Sequence, residues 1–176
     1  MMPKPAVANA DVDELRARFA HHRVQIRAKS SSRIMRWCAR FARLFGNPRF
    51  QSHFWTTLGR TIYYPTLVDD PWRHPRVLRH ELVHVRQWQR WGLLFWISYL
   101  LLPLPVGLAW CRWRWEREAY LEDLAQAANV DMAMEHIVQS LWRNYGWAWP
   151  RPWMRRWFRR KLQRNESDYS PRSSRS

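Results

Sequence analysis

Two histidines and a glutamate lie close together in the stretch His80-Glu81-Leu82-Val83-His84. Residues four positions apart on an α-helix lie one above the other, so both imidazoles can bind one metal ion. In this HExxH spacing the glutamate faces a water molecule on that ion and can act as a general base. The stretch predicts a zinc-dependent hydrolase, most directly a peptidase. The alternative is a solvated helix whose histidines are four apart by chance.

The helix that carries this motif is predicted to run from Pro75 to about Trp91. His74-Pro75 suits a helix start and Gly92 a helix end. An inward stripe is expected on this helix, and the motif falls on it, since the arginines lie elsewhere. The predicted stripe consists of Val77, His80, Glu81, His84 and Trp88.

Two histidines do not complete a zinc site, which needs at least one more protein ligand and an open position for water. The best candidate segment is 114–120, which reads as a helix with Glu116, Ala119 and Tyr120 on one face. A small residue at 119 would let two metal-bearing helices approach closely. Glu118 is the competing ligand. For both glutamates the alternative is a charged helix face that balances neighbouring arginines.

The two motifs together resemble those of the gluzincin metallopeptidases, in which a second helix brings a glutamate ligand, often as Glu-x-x-Ala-Asp or Glu-x-x-Ser-Asp. The resemblance covers residues 53–125 and is nearest to small bacterial HExxH proteins and membrane-associated gluzincins. It implies a zincin-like core, bound Zn²⁺, Glu116 as third ligand, and hydrolysis of a peptide or protein substrate with Glu81 as base. The family often has an aspartate where this chain has Tyr120, and that aspartate supports a ligand histidine. In this chain the supporting role is left to the Tyr120 phenol, is taken by Asp123, or is not filled.

Peptide hydrolysis also needs a hydrogen-bond donor to the oxyanion. Tyr120, His136 and Tyr145 are the available candidates, and the sequence does not select among them. His136 and His74 are also weaker rivals as metal ligands, because a lone histidine is more often a structural or solvated residue.

The segment before the zinc helix, residues 54–68, is rich in aromatic and β-branched residues and contains a single glycine. It predicts a short hairpin or a pair of extended strands. In gluzincins a strand beside the active helix holds extended substrate through backbone hydrogen bonds, which is strand addition. The alternative is a sheet that only covers the core.

An uncharged run at residues 91–111 has about the length of a membrane-spanning helix. Such a helix would leave Glu116 about 30 Å from the histidines. The run is also interrupted by Pro103, Pro105 and Gly107. We therefore predict a helical hairpin that breaks at Gly92 and turns at Pro103-Leu104-Pro105. Its apolar tip is either buried in the protein or dipped into a membrane, and the second is favoured.

The chain carries 30 Lys+Arg against 14 Asp+Glu, for a formal net charge of +16, and has 14 tryptophans. This composition favours anionic partners, and indole rings favour the membrane interface over nucleic acid. Residues 32–45 and 151–164 read as basic amphipathic helices suited to an anionic membrane surface. The alternative is that each packs its apolar side on the domain. Nucleic acid remains a possible partner, although no recognised nucleic-acid motif is present.

The overall expectation is a mainly α protein with a small β-hairpin (α+β), forming a single domain over residues 11–165 with flexible ends at 1–10 and 166–176. Helices are expected over Asp11–Lys29 and from an Asp131 cap to about Trp142. The absence of a secretory signal favours a cytoplasmic protein, peripheral or re-entrant at the membrane, with reduced cysteines. Besides the peptidase, two functions stay open: a nucleic-acid-binding protein with a structural or vestigial metal site, and a non-catalytic membrane-surface scaffold.

Overall fold

The computed structural model of this protein describes residues 5–44, 48–100, 108–144 and 150–169. The described chain is mainly helical with one small three-stranded sheet, which confirms the predicted α+β class. Single 3-10 turns cover Lys29–Ser31 and Pro71–Arg73. The remaining elements are α1 Pro5–His21, β1 Gln25–Ala28, α2 Arg33–Leu44, α3 Phe50–His53, β2 Thr56–Leu58, β3 Thr61–Tyr64, α4 Pro75–Trp91, α5 Leu93–Leu100, α6 Leu108–Ala125, α7 Val130–Asn144 and α8 Arg151–Tyr169.

Backbone contacts divide the chain into two units, Met1–Phe95 and Trp96–Ser176. The first unit contains the sheet. β2 and β3 form the predicted hairpin, with Thr57 opposite Ile62. Gly59 at its turn has a φ of 65°, a conformation that glycine adopts without steric cost. The strand order is β1-β3-β2, so β2 lies at an edge of the described sheet.

The helix predicted over Asp11–Lys29 is wrong in its second half. α1 ends at His21, Arg23 takes a φ of 53°, and Gln25–Ala28 forms strand β1 parallel to β3. Ile26 lies opposite Ile62 in this pairing. The strand depends on a partner more than 30 residues away in sequence, which local helix periodicity does not reveal.

Helix α4 packs on α1 in the first unit and has the predicted bounds. It ends at Gly92, whose φ is 53° and whose N–H donates to the Trp88 carbonyl at 2.7 Å. Arg79 pairs with Asp11 of α1. Glu81 and His84 of the predicted stripe are buried, whereas Val77, His80 and Trp88 are only half-buried. The other buried residues of α4 are Leu78, Leu82, Val85 and Gln87. The core cluster consists of Leu15, Phe19, Ile62, Leu78, Leu82 and Val85.

The second unit is built from α6, α7 and α8, which pack on each other. Arg155 of α8 donates two hydrogen bonds, of 2.8 and 2.6 Å, to the Glu135 carboxylate of α7, and these hold the pKa of Glu135 below its ordinary value. The cap of α7 is Asn129, whose Oδ1 accepts from the Met132 N–H at 2.9 Å, and not Asp131 as predicted. α8 extends to Tyr169, four residues into the predicted flexible tail. The core cluster consists of Trp113, Leu124, Met134, Ile137, Val138, Leu141, Met154 and Phe158.

The apolar run is broken at Gly92 as predicted, and α5 follows at once. The turn predicted at Pro103-Leu104-Pro105 lies outside the described residues. Leu93 and Leu94 of α5 are exposed, whereas Phe95 is buried. Among the described residues, no helix combines the length and apolarity needed to cross a membrane.

Candidate metal site

His80 and His84 are on consecutive turns of α4. Their ring centroids are 5.1 Å apart and their planes are inclined by 74°. His84 is buried and His80 is half-buried. The HExxH residues are thus held by a 17-residue helix that is capped at its C-terminal end and anchored in the core.

Gln87 orients His84, a role that the sequence did not reveal. The Oε1 atom of this buried glutamine lies 2.9 Å from Nδ1 of His84. An amide oxygen can only accept a hydrogen bond, so Nδ1 carries the proton and Nε2 carries the lone pair that a metal needs. Outer partners of this kind fix the tautomer of ligand histidines. The available signal was the i,i+3 spacing from His84 on one helix.

Glu81 is buried beside the hairpin. Oγ1 of Thr57 on β2 donates to Oε2 of Glu81 at 2.5 Å. This hydrogen bond ties the carboxylate to a strand that contacts α4. Threonine on a strand gave no sequence signal of such a role, since β-branched residues are common in strands.

A buried cation, Lys29, also belongs to this part of the first unit. Its Nζ donates to the Phe50 carbonyl at 2.8 Å and lies 3.7 Å from the centroid of the Phe50 ring. Burial lowers the pKa of Lys29 to about 8, and electrostatic interactions with the nearby Glu81 and Cys38 raise it in part. Glu81 therefore has an electrostatic partner that the sequence did not suggest, because lysine is seldom fully buried.

The two candidate glutamates of α6 differ in burial. Glu116 is 4 % exposed and Ala119, one turn later, is fully buried, whereas Glu118 is exposed. Tyr120 packs against the core cluster of the second unit, and Asp123 is half-buried. The small residue at 119 is thus on the buried face with Glu116, as predicted from the sequence.

One ligand atom from each of His80, His84 and Glu116 can be chosen so that all three lie within 4.8 Å of one another. Of the other described candidates, Glu118, His74 and His136 are exposed and belong to no such group. Tyr145 lies outside the described residues. The oxyanion donor stays a prediction.

Comparison with known proteins adds no relative. No family model, no curated protein and no solved structure matches this chain.

Proposed function

We propose that this protein is a zinc-dependent metallopeptidase in which His80, His84 and Glu116 hold the metal and Glu81 is the general base. The observation that carries the proposal is the grouping of potential ligand atoms from these two histidines and one glutamate within 4.8 Å. Catalytic zinc sites use three protein ligands of this kind and keep a further position open.

The donor set fits zinc in its details. The hydrogen bond to Gln87 directs the proton of His84 to Nδ1, which makes Nε2 the metal-binding atom. The Glu116 carboxylate is buried, and a divalent cation stabilises a negative charge removed from water. Imidazole and carboxylate together are common zinc ligands, and a calcium site would instead need six or more oxygens.

When bound, zinc lowers the pKa of a water molecule toward about 7 and polarises a substrate carbonyl. The protein's own contribution centres on Glu81, which accepts a proton from the attacking water and delivers it to the leaving amine. Thr57 occupies Oε2 of Glu81, which leaves Oε1 for this proton. Positioning a base in this way raises the fraction of encounters with productive geometry.

A peptide is the substrate class that the hairpin supports best. β2 contacts α4 and lies at an edge of the described sheet. The backbone groups of an edge strand can pair with an extended peptide, which is the strand-addition mode of recognition. Thr57, which holds Glu81, belongs to the same strand, so a peptide paired with β2 would run beside the base.

Metal analysis of the purified protein tests the ligand set. We expect about one zinc per chain in the wild type and loss of zinc in His80→Ala and Glu116→Ala. Glu118→Ala is the matched control, since it removes an exposed glutamate two positions from Glu116 on the same helix. Zinc that is lost in Glu118→Ala and retained in Glu116→Ala would refute the proposed ligand set.

Hydrolysis of a library of quenched fluorogenic peptides by the zinc-loaded protein tests the reaction. Glu81→Gln should retain zinc and lose hydrolysis, because the amide cannot accept the proton. Glu118→Gln, which makes the same change of charge at an exposed site, should keep full activity. Activity that survives in Glu81→Gln would contradict the proposed base. A zinc-loaded wild type that cleaves nothing would instead favour the non-catalytic scaffold.

A further inference from the structure

Helix α2 uses only a narrow side to attach to the first unit. Met35 is buried, and the small residues Cys38, Ala39 and Ala42 are half-buried. The helix contacts α3 and the 3-10 turn Lys29–Ser31. Apart from Met35, the attached side consists of small residues, and the other bulky apolar side chains of α2 are directed elsewhere.

Four bulky side chains form an outward stripe on α2. At 100° per residue they fall within about 80° of the helix circumference. The rings of Trp37 and Phe41 stack on each other, with centroids 5.8 Å apart and planes inclined by 12°. The exposed fractions are 57 % for Ile34, 65 % for Trp37, 51 % for Phe41 and 82 % for Leu44. We call these four residues the α2 stripe.

Arginines flank the α2 stripe on one side, and the helix contains no acidic residue. Arg36 donates to the Ser30 carbonyl at 3.0 Å, which fixes one of these cations at the start of the helix. All four arginines, Arg33, Arg36, Arg40 and Arg43, are exposed. An exposed apolar stripe with adjacent cations has the chemistry of a helix that lies in the headgroup region of an anionic bilayer.

Helix α8 has a similar composition but a different disposition. Its Met154 and Phe158 are buried, and Trp157 and Leu162 pack against the core cluster of the second unit. Most of the apolar side of α8 is therefore occupied by its own unit, although Trp153 is 46 % exposed. The exposed arginines of α8 are Arg156, Arg159, Arg160 and Arg164. The sequence predicted the same membrane-binding role for both helices. The burial of their apolar side chains in the folded protein distinguishes α2 from α8.

We propose that α2 docks this protein on anionic lipid bilayers, with the α2 stripe inserted among the lipids and its arginines at the phosphates. This inference goes beyond the proposed peptidase and does not depend on it, since it rests on residues outside the metal site. Leucine and tryptophan favour this interface because the apolar parts leave water while the indole N–H can stay hydrated.

Co-sedimentation of the full-length protein with lipid vesicles tests the stripe. The vesicles contain phosphatidylcholine alone or with about 30 % phosphatidylserine, a composition that attracts basic segments. Leu44→Ser should weaken binding to the anionic vesicles about tenfold, since a fully inserted leucine contributes that much or more. Leu67→Ser is the matched control, because Leu67 is 68 % exposed in the same unit but lies outside α2.

A second pair of variants separates docking by α2 from general attraction of a basic protein. Arg40→Gln with Arg43→Gln should weaken binding to anionic vesicles at least tenfold, at about 1 kcal/mol (fivefold) per arginine near the surface. Arg156→Gln with Arg160→Gln removes the same charge from α8. This pair should change the logarithm of the vesicle-binding constant by less than about half as much as the α2 pair. Circular dichroism of each variant is the control for retained helical content.

Several results would overturn the proposal. These are equal binding of Leu44→Ser and the wild type, equal loss in the α2 and α8 arginine pairs, and no binding to either kind of vesicle. A protein that self-associates without vesicles, and stops doing so in Leu44→Ser, would show that the α2 stripe is a protein–protein surface and not a lipid-docking surface.

Discussion

Lys29→Met removes a buried charge while it keeps the length and apolar stem of the side chain. In the folded protein, burial lowers the pKa of this lysine from its ordinary value of 10.5 to about 8. A shift of this size corresponds to about 3 kcal/mol at about 1.4 kcal/mol per pKa unit. Lys29 therefore lowers the free energy of unfolding by up to about 3 kcal/mol wherever it is charged in both states.

The sign of the pH dependence follows from proton binding. Below about pH 8, Lys29 is protonated in both the folded and the unfolded protein, so the full loss of folding stability caused by its burial is present. Between about 8 and 10.5 the unfolded state holds more protons, so the stability of the wild type rises with pH. From about pH 7 to about pH 9.5 the rise due to Lys29 amounts to about 2 kcal/mol, and the methionine variant lacks it.

Urea unfolding of both proteins at several pH values and a fixed metal content measures this difference. The methionine variant also loses the hydrogen bond to the Phe50 carbonyl, which changes its free energy of unfolding by an amount that does not depend on pH. Cys38 lies near Lys29, and thiols titrate in the same range, so both proteins also carry Cys38→Ala. A difference in free energy that stays constant from about pH 7 to 9.5 would refute the reasoning that Lys29 is desolvated.

Four further predictions concern the site, the core of the second unit and the turn between β2 and β3. Thr57→Val should lower kcat at least tenfold with zinc retained, because a hydrogen bond to a charged group contributes about 1.5–3 kcal/mol, and Thr57→Ser should restore it; equal rates would exclude positioning of Glu81. Zinc at about 100 times its Kd should raise the free energy of unfolding of the wild type by about 2.7 kcal/mol, measured by thermal unfolding. The same zinc concentration should not stabilise His84→Ala. Phe158→Ala should cost about 3–5 kcal/mol in urea unfolding, since this ring is fully buried. Gly59→Ala should cost about 1 kcal/mol or more because of its positive φ, and an unchanged midpoint would contradict the turn geometry.

Local sequence patterns were sufficient for the elements that carry the motif. The bounds of α4 follow from Pro75 and Gly92, because proline favours the first turn of a helix and glycine its end. The hairpin of β2 and β3 follows from aromatic and β-branched residues around Gly59. The break of the apolar run at Gly92 was also predictable. Each of these features depends on residues a few positions apart.

The tertiary structure decided which side chains meet. β1 was mistaken for helix because its pairing with β3 is distant in sequence. The partnership of Thr57 with Glu81, and the electrostatic influence of Glu81 on Lys29, likewise depend on how separate elements pack.

Amphipathic periodicity identifies an apolar side of a helix but not what covers it. The sequence therefore predicted amphipathic helices in α2 and α8 alike, whereas packing covers most of the apolar side of α8 and leaves the α2 stripe exposed. By itself the sequence predicted the helix with its HExxH residues and suggested zinc chemistry for them. Only the folded chain determined the partner of Glu81 on strand β2 and which apolar helix side stays exposed, because these depend on contacts between residues distant in sequence.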